Sequence, residues 1–282
     1  MSIVVRLVTE PDLAAADRVL RAAFDRPASF LPHMRLHRTI QPDLFFVAEE
    51  AGELVGTVGA VDYGAVAYIG LMAVDPALQR RGIARRLVEH LLAQLDARKC
   101  ERILLDATDS GAPLYESFGF VDDARARVFE LRSMTADEDV VGDVEISSQA
   151  ELSELASFDE ASFGASREKL LGALLELYRD RLLVARDGAG RLQGYLFARD
   201  PTLGPWVAEN REVAAALLNA ALRLPYSHTP HVMVPRSNEA ATELLVGRGF
   251  VEQRSLRHMR RGGTGPIGRP ERLFGQSSFA HG

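Results

Sequence analysis

The residues with the most definite chemistry run Gln79-Arg80-Arg81-Gly82-Ile83-Ala84. Before them, Tyr68 to Val74 is a short apolar run rich in strand formers. Asp75-Pro76 stops it, because proline has no amide hydrogen to give to a ladder. After them, Leu87, Val88, Leu91, Leu92 and Leu95 recur at helical spacing. The unit is therefore a strand, a tight basic turn and a helix. A helix start leaves about four amide hydrogens without partners and carries roughly half a positive charge. Gly82 tolerates positive φ and, without Cβ, lets an anion approach the backbone. Arg80, Arg81, Arg85 and Arg86 add side-chain charge. The turn is too short for a Walker loop, and no GxGxxG is present. What such a turn does best is hold a pyrophosphate on a helix start, beside a strand.

At these residues the chain resembles a family. Gln79-x-x-Gly82-x-Ala84 is similar to the Q/R-x-x-G-x-G/A loop of the GCN5-related N-acetyltransferases (GNAT), with alanine at the last position. Downstream, Leu114-Tyr115-Glu116-Ser117-Phe118-Gly119-Phe120 resembles the family's L-Y-E-x-x-G-F. The resemblance implies that Gln79, Arg80, Arg81, Gly82, Ile83, Ala84 and Arg85 hold the pyrophosphate of acetyl-CoA. It implies that Met72, Ala73 and Val74, on a strand splayed from its neighbour, meet the pantetheine arm, with Thr108 as a further coenzyme contact. Tyr115 takes the place of the family's general acid, and a phenol with an ordinary pKa of about 10 is protonated at neutral pH. Some members carry a glutamate base on the strand before the loop; Tyr68 stands there instead. Asp106 and Asp62 are then the candidate bases, each also readable as an ordinary turn or capping acid. Phe30, His33 and Tyr68 are expected to line the acceptor pocket. No metal site is expected, since His33 and His37 have no nearby third ligand at metal spacing.

These residues need two folded bodies to position them. With 282 residues, and roughly 150 per domain, the chain is long enough for two domains, each with its own core. Hydrophobic residues are 47% and charged residues 26%, the balance of an ordinary soluble protein. The net charge of −6 argues against nucleic acid as the main partner. A lone cysteine, Cys100, excludes an internal disulfide framework and fits a cytoplasmic home. The first ten residues do not read as a signal peptide, and no apolar run reaches the roughly 18 residues of a membrane helix.

Reading in order, Ser2 to Thr9 alternates as a strand, and a helix follows through Leu13, Val19, Leu20 and Phe24. Arg26 to Pro42 is expected to be irregular, broken by Pro27, Pro32 and Pro42. Leu44 to Glu49 and Glu53 to Val61 form a hairpin; Ala65 to Val74 is a strand and Arg81 to Ala97 a helix. Arg102 to Ala107 is a strand, Ala112 to Ser117 a short helix, and Ala126 to Leu131 a returning strand. Residues 134–143 are acidic and form the linker between a catalytic domain, 1–133, and a second domain, 144–262. The pattern then restarts: strand Val144 to Ile146, helix Leu152 to Phe163, hairpin Leu182 to Arg186 with Leu192 to Arg199. Helix Glu209 to Leu222, strand His231 to Pro235 and helix Glu239 to Val246 follow. Gly249-Phe250-Val251-Glu252 echoes Gly119-Phe120-Val121-Asp122 at an offset of 130 residues, which argues for tandem duplication. The fold class is accordingly α+β: two tandem acetyltransferase-type domains, each a mixed, mostly antiparallel sheet flanked by helices.

The copies are not equivalent. Where the first has its basic loop, the second offers Gly204-Pro205-Trp206-Val207-Ala208-Glu209, and Glu209 and Glu212 would repel a pyrophosphate. The second domain is read as a degenerate copy that binds no coenzyme. Residues 263–282 form a tail, and Leu273, Phe274 and Phe279 suggest a docked strand. The expected reaction moves an acetyl group from acetyl-CoA to the amine of a small-molecule acceptor, by a monomer or homodimer with no nucleic-acid or membrane partner. The alternatives are a mycothiol-synthase-like tandem enzyme, whose loop would lie in the other copy, and a coenzyme A-binding sensor without turnover.

Overall fold

A computed structural model describes residues 3–133, 144–235, 238–265 and 267–282. The expected linker, 134–143, lies outside the described residues. The chain forms two compact units. The first comprises Met1–Val121, Met259–Gly263 and Phe279–His281; the second comprises Asp122–His258, Thr264–Ser278 and Gly282.

In the first unit, strands β1 (Ile3–Leu7), β2 (Phe45–Glu50), β3 (Glu53–Asp62), β4 (Val66–Val74) and β5 (Arg102–Ala107) lie side by side in that order. All neighbours are antiparallel except β4 and β5, which are parallel. Helices α1 (Leu13–Phe24) and α2 (Leu31–Ile40) precede β2, α3 (Ile83–Ala97) connects β4 to β5, and α4 (Ala112–Glu116) follows β5. α3 lays Ile83, Leu87, Val88, Leu91, Leu92 and Leu95 on one sheet face, in a core with Ile69, Ile103 and Leu105. Residues three and four apart share a helix face, so this stripe is what the sheet buries. The other face packs Leu13, Ala16 and Leu20 of α1 and Met34 of α2 against Phe45, Val47, Leu71 and Ala73.

The segment expected to be irregular contains α2. Pro27 precedes it, Pro42 follows it, and Pro32 sits in its first turn. There the missing amide costs nothing, because first-turn amides have no intrahelical acceptor. Buried Asp17 of α1 fixes its entry, accepting hydrogen bonds from Phe30 N (2.6 Å) and Ser29 Oγ (3.0 Å).

β6 (Val121–Leu131), all but its first residue in the second unit, pairs antiparallel with β11 (His231–Val234). The expected strand Ala126 to Leu131 is present as part of β6 and is counted with the second unit, while Met259–Gly263 is counted with the first. A sheet of β13 (Leu273–Gly275), β10 (Leu203–Ala208), β9 (Leu192–Ala198), β8 (Leu182–Asp187) and β7 (Val144–Ser147) follows in that order. Its helices are α5 (Leu152–Phe163), α6 (Glu168–Tyr178), α7 (Arg211–Leu222) and α8 (Glu239–Gly247), and β12 runs Phe250–Arg261. The helix α6 has no counterpart among the elements expected from the sequence. Gly204 to Ala208, expected as a loop, is instead a fully buried strand, β10. The true helix start lies at Asn210, whose side chain accepts from Val213 N at 2.9 Å.

Candidate active site

The turn between β4 and α3 has the geometry of an anion cradle. Arg80 and Gly82 both have positive φ, 64° and 80°. Gly82 is the N-cap of α3 and supplies no side-chain cap, so the amides of Ile83, Ala84 and Arg85 are left without intrahelical acceptors. A Cβ on Gly82 would meet nothing within 4 Å, so the glycine is required by its φ, and the space before it stays open. Gln79 is tied back by Nε2 to Val74 O at 3.3 Å.

The four arginines divide their work. Arg81 pairs with Glu50 (2.8 Å), and Arg85 donates to Ser117 Oγ (3.0 Å) while lying 5.0 Å over the Phe118 ring. Arg86 reaches Ile3 O at 3.4 Å. Arg80 is exposed and forms no ion pair among the described residues. Of the expected charges, Arg80 is therefore the one left to meet a phosphate. The uncapped amides, the open space and this cation together fit a pyrophosphate.

The strand leading into the turn is open along one side. β4 and β5 pair from Val66↔Arg102 to Ile69↔Leu105, and there the ladder stops, although β4 continues to Val74. On its other side β4 carries a bulge: Gly59 faces Gly70 and Thr57 faces Ala73, so Leu71 and Met72 together oppose Val58. Leu71 sits at φ 52°, where a non-glycine residue holds about 1–3 kcal/mol of strain. Bulge and split coincide, leaving the main chain of Gly70 to Val74 aimed at a gap in the sheet. Met72, Ala73 and Val74 all lie there.

Tyr115 lies in α4 with its ring in the α3-side core, 5.8 Å from Phe120. Burial holds its phenol well above the ordinary tyrosine value, so it is protonated at every physiological pH. Its hydroxyl makes no hydrogen bond among the described residues.

Tyr68 and Asp106 are brought together: the buried Tyr68 hydroxyl donates to Asp106 Oδ2. Asp62 is not part of this pair. Tyr68 is register-paired with Val61 and Leu104, which puts Tyr68 and Asp106 on one face and Asp62 on the other. Asp62 closes a turn, accepting from Gly64 N (2.8 Å), and faces Arg98 (3.5 Å) and Cys100 Sγ (3.6 Å). Burial, then Asp62, push the Cys100 thiol up to about 11, so it is no nucleophile at neutral pH. Thr108 is occupied at the start of α4: its Oγ1 accepts from Gly111 N and meets Ser110 Oγ, both at 3.1 Å. Phe30 and His33 stand together at the start of α2, ring centroids 6.4 Å apart, with Phe24 5.8 Å from Phe30.

Two features escaped sequence reading, and both leave a faint mark there. Gly59 and Gly70 face each other within strands, where glycine signals a close approach. A Cβ on Gly59 would lie 2.8 Å from His37 Nε2, and one on Gly70 would lie 2.3 Å from Ala280 Cα. Among the described residues no group of three or more His, Cys, Asp and Glu is placed to hold a metal, and no helix is long and apolar enough to cross a membrane.

Known proteins share the fold. Residues 14–120 match the model of the acetyltransferase (GNAT) family, and residues 155–275 match that of an acetyltransferase (GNAT) domain. The N-acetyltransferase YitH of Bacillus subtilis is 28% identical over 218 residues, covering 75% of this chain and 76% of that one. An acetyltransferase of Photorhabdus laumondii, plu1384, is 36% identical over 107 residues, 36% of this chain and 73% of that one. Among solved structures, an acetyltransferase from Pyrococcus horikoshii superposes with a TM-score of 0.86 at 27% identity, covering 99% of this chain and 96% of that one. A GCN5-related N-acetyltransferase from Sphaerobacter thermophilus gives 0.69 at 16% identity over 92% and 95% of the two chains, a likeness of fold. These matches define an acyltransferase. The chain belongs to the GCN5-related N-acetyltransferase family, as two such domains in tandem.

Proposed function

We propose that the chain moves an acetyl group from acetyl-CoA to the amine of a small molecule, and that the first unit carries the reaction. The observation that supports this most is the coincidence of three features: the uncapped start of α3, the open edge of β4 and the buried phenol of Tyr115. The coenzyme supplies an acetyl thioester. In this reading the amides of Ile83, Ala84 and Arg85, with Arg80, hold its pyrophosphate, and the main chain of Met72 to Val74 holds the pantetheine arm. Tyr115 gives a proton to the departing sulfur, a task suited to a phenol kept neutral by burial. Asp106 receives the amine's proton, with Tyr68 orienting the carboxylate. Phe30 and His33 bound the acceptor side. Asp62 and Thr108 serve structure, as a turn acid and a helix-start hydroxyl.

The second unit works differently. Asn210 occupies the start of α7 with its own side chain, and Arg272 pairs with Glu209 beside it. A capped amide and a carboxylate beside it disfavour an anion there, which supports a role without coenzyme. The test is thiol release from acetyl-CoA across a panel of polyamines, amino acids, aminoglycosides and peptides with free amino termini. Turnover with a small amine and not with peptides is the expected result. Coenzyme binding without release for any amine would favour the sensor reading instead.

A further inference from the structure

The segment Phe279–His281 is counted with the first unit, and it rests on the sheet just before the bulge of β4. Ala280 is buried in one cluster with Leu71 and Ala73, the residues flanking Met72. It comes so close to Gly70 that a Cβ there would lie 2.3 Å from Ala280 Cα and 2.9 Å from Phe279 O. Tyr63 Oη donates to His281 O at 2.8 Å. The His281 ring, fully buried, stacks on that of His37 with centroids 5.5 Å apart and planes 24° apart. His37 in turn sits over Gly59, the cross-strand partner of Gly70, and meets Phe45 edge-on at 5.1 Å. Two facing glycines thus admit two histidines and a length of main chain onto the sheet face that carries Tyr68 and Asp106. Glycine in a strand interior weakens it, so a facing pair marks a place where something must come close.

We propose that Phe279–His281 is a wall of the acyl-transfer site, which excludes water from the thioester and bounds the space open to the acceptor amine. This rests on the reading of Gln79 to Ala84 as the coenzyme loop. A closed site protects a reactive thioester from hydrolysis while the amine is held against it. His281 is then a positioning residue: its ring fixes the segment on His37, and its carbonyl fixes the segment on Tyr63.

The test uses acetyl-CoA itself as the probe, with no amine present. Gly70→Ala introduces the Cβ that Ala280 cannot accommodate, and His281→Ala removes the stacked ring while leaving the main chain. Gly188→Ala, whose Cβ meets nothing within 4 Å, is the control. Circular dichroism confirms folding, and calorimetry measures coenzyme affinity in each chain. The expected result is severalfold faster hydrolysis of acetyl-CoA in both variants, with coenzyme affinity unchanged and the control behaving as wild type. Independently of turnover, the His281 ring resonances, assigned by their loss in His281→Ala, are expected to move when acetyl-CoA saturates the wild-type chain. Hydrolysis at the wild-type rate in both folded variants, or His281 resonances that stay in place at saturation, would overturn the proposal. A wild-type chain that binds no acetyl-CoA overturns the coenzyme reading first and this proposal with it, and that failure is visible before any variant is made.

Discussion

Tyr115 buries its ring, and its hydroxyl makes no hydrogen bond among the described residues. A residue kept for packing alone would be served as well by phenylalanine. Tyr115→Phe is therefore expected to leave the melting temperature nearly unchanged and to lower kcat, by roughly 10²–10⁴-fold if the proton transfer is fully lost. The KM for acetyl-CoA should hold, because the ring and its contact with Phe120 remain. A kcat equal to wild type on a true acceptor would make the phenol structural. The sign of the pH effect follows from the raised pKa: the folded chain keeps this proton where an unfolded tyrosine, of pKa about 10, gives it up. Stability should thus decline above pH ~10, and Tyr115→Phe should soften that decline. Asp106→Asn removes the proposed acceptor of the amine's proton but keeps an oxygen for the Tyr68 hydroxyl, so activity is expected to fall with little loss of stability.

At the scale of elements, the proposal that only the first half binds coenzyme rests on the contrast between α3 and α7. Gly82 leaves the α3 amides open, whereas the Asn210 side chain takes up one of those of α7, that of Val213. Asn210→Ala should cost about 1 kcal/mol of stability, the usual worth of such a cap, and leave acetyl-CoA affinity unchanged. A weakened coenzyme affinity would show that α7 takes part in binding. What could be read beforehand followed the same division. The loop, α3 and the motif around Tyr115 were legible because a glycine between arginines and a helical leucine stripe have few alternative meanings. The helix α2 was hidden by its prolines, since Pro32 reads as a breaker unless it stands in a first turn, where it is tolerated. The strand β10 was hidden by Gly204-Pro205, which reads as a turn although its residues are all buried. The Tyr68–Asp106 pair and the seat of His281 depend on register and on contacts between distant parts of the sequence. Only the lone glycines Gly59 and Gly70 hinted at them.

Over the whole molecule, both units rely on arginine–carboxylate pairs. Hydrogen bonds from Arg6 hold the Asp12 carboxyl well below the usual range; Arg257 does the same for Asp122, and Arg186 for Glu154. Each depressed carboxyl contributes stability that is present above its unfolded pKa of about 4 and is lost as pH falls through the folded value. The melting temperature should thus decline as pH drops below about 4, and Arg186→Met should make that decline shallower. A melting temperature flat from neutral pH into that range would contradict the assignment.

The claim on which the rest depends is that one loop, in one of two similar units, holds the coenzyme. Titration calorimetry of the full chain with acetyl-CoA tests it directly, run beside Gly82→Asp. The aspartate would put a carboxylate and a Cβ at the mouth of the α3 start, in a backbone conformation with φ 80° that side chains resist. The predicted result is one acetyl-CoA per chain for wild type and no measurable binding for the variant. Two equivalent sites, or undiminished binding by Gly82→Asp, would contradict it.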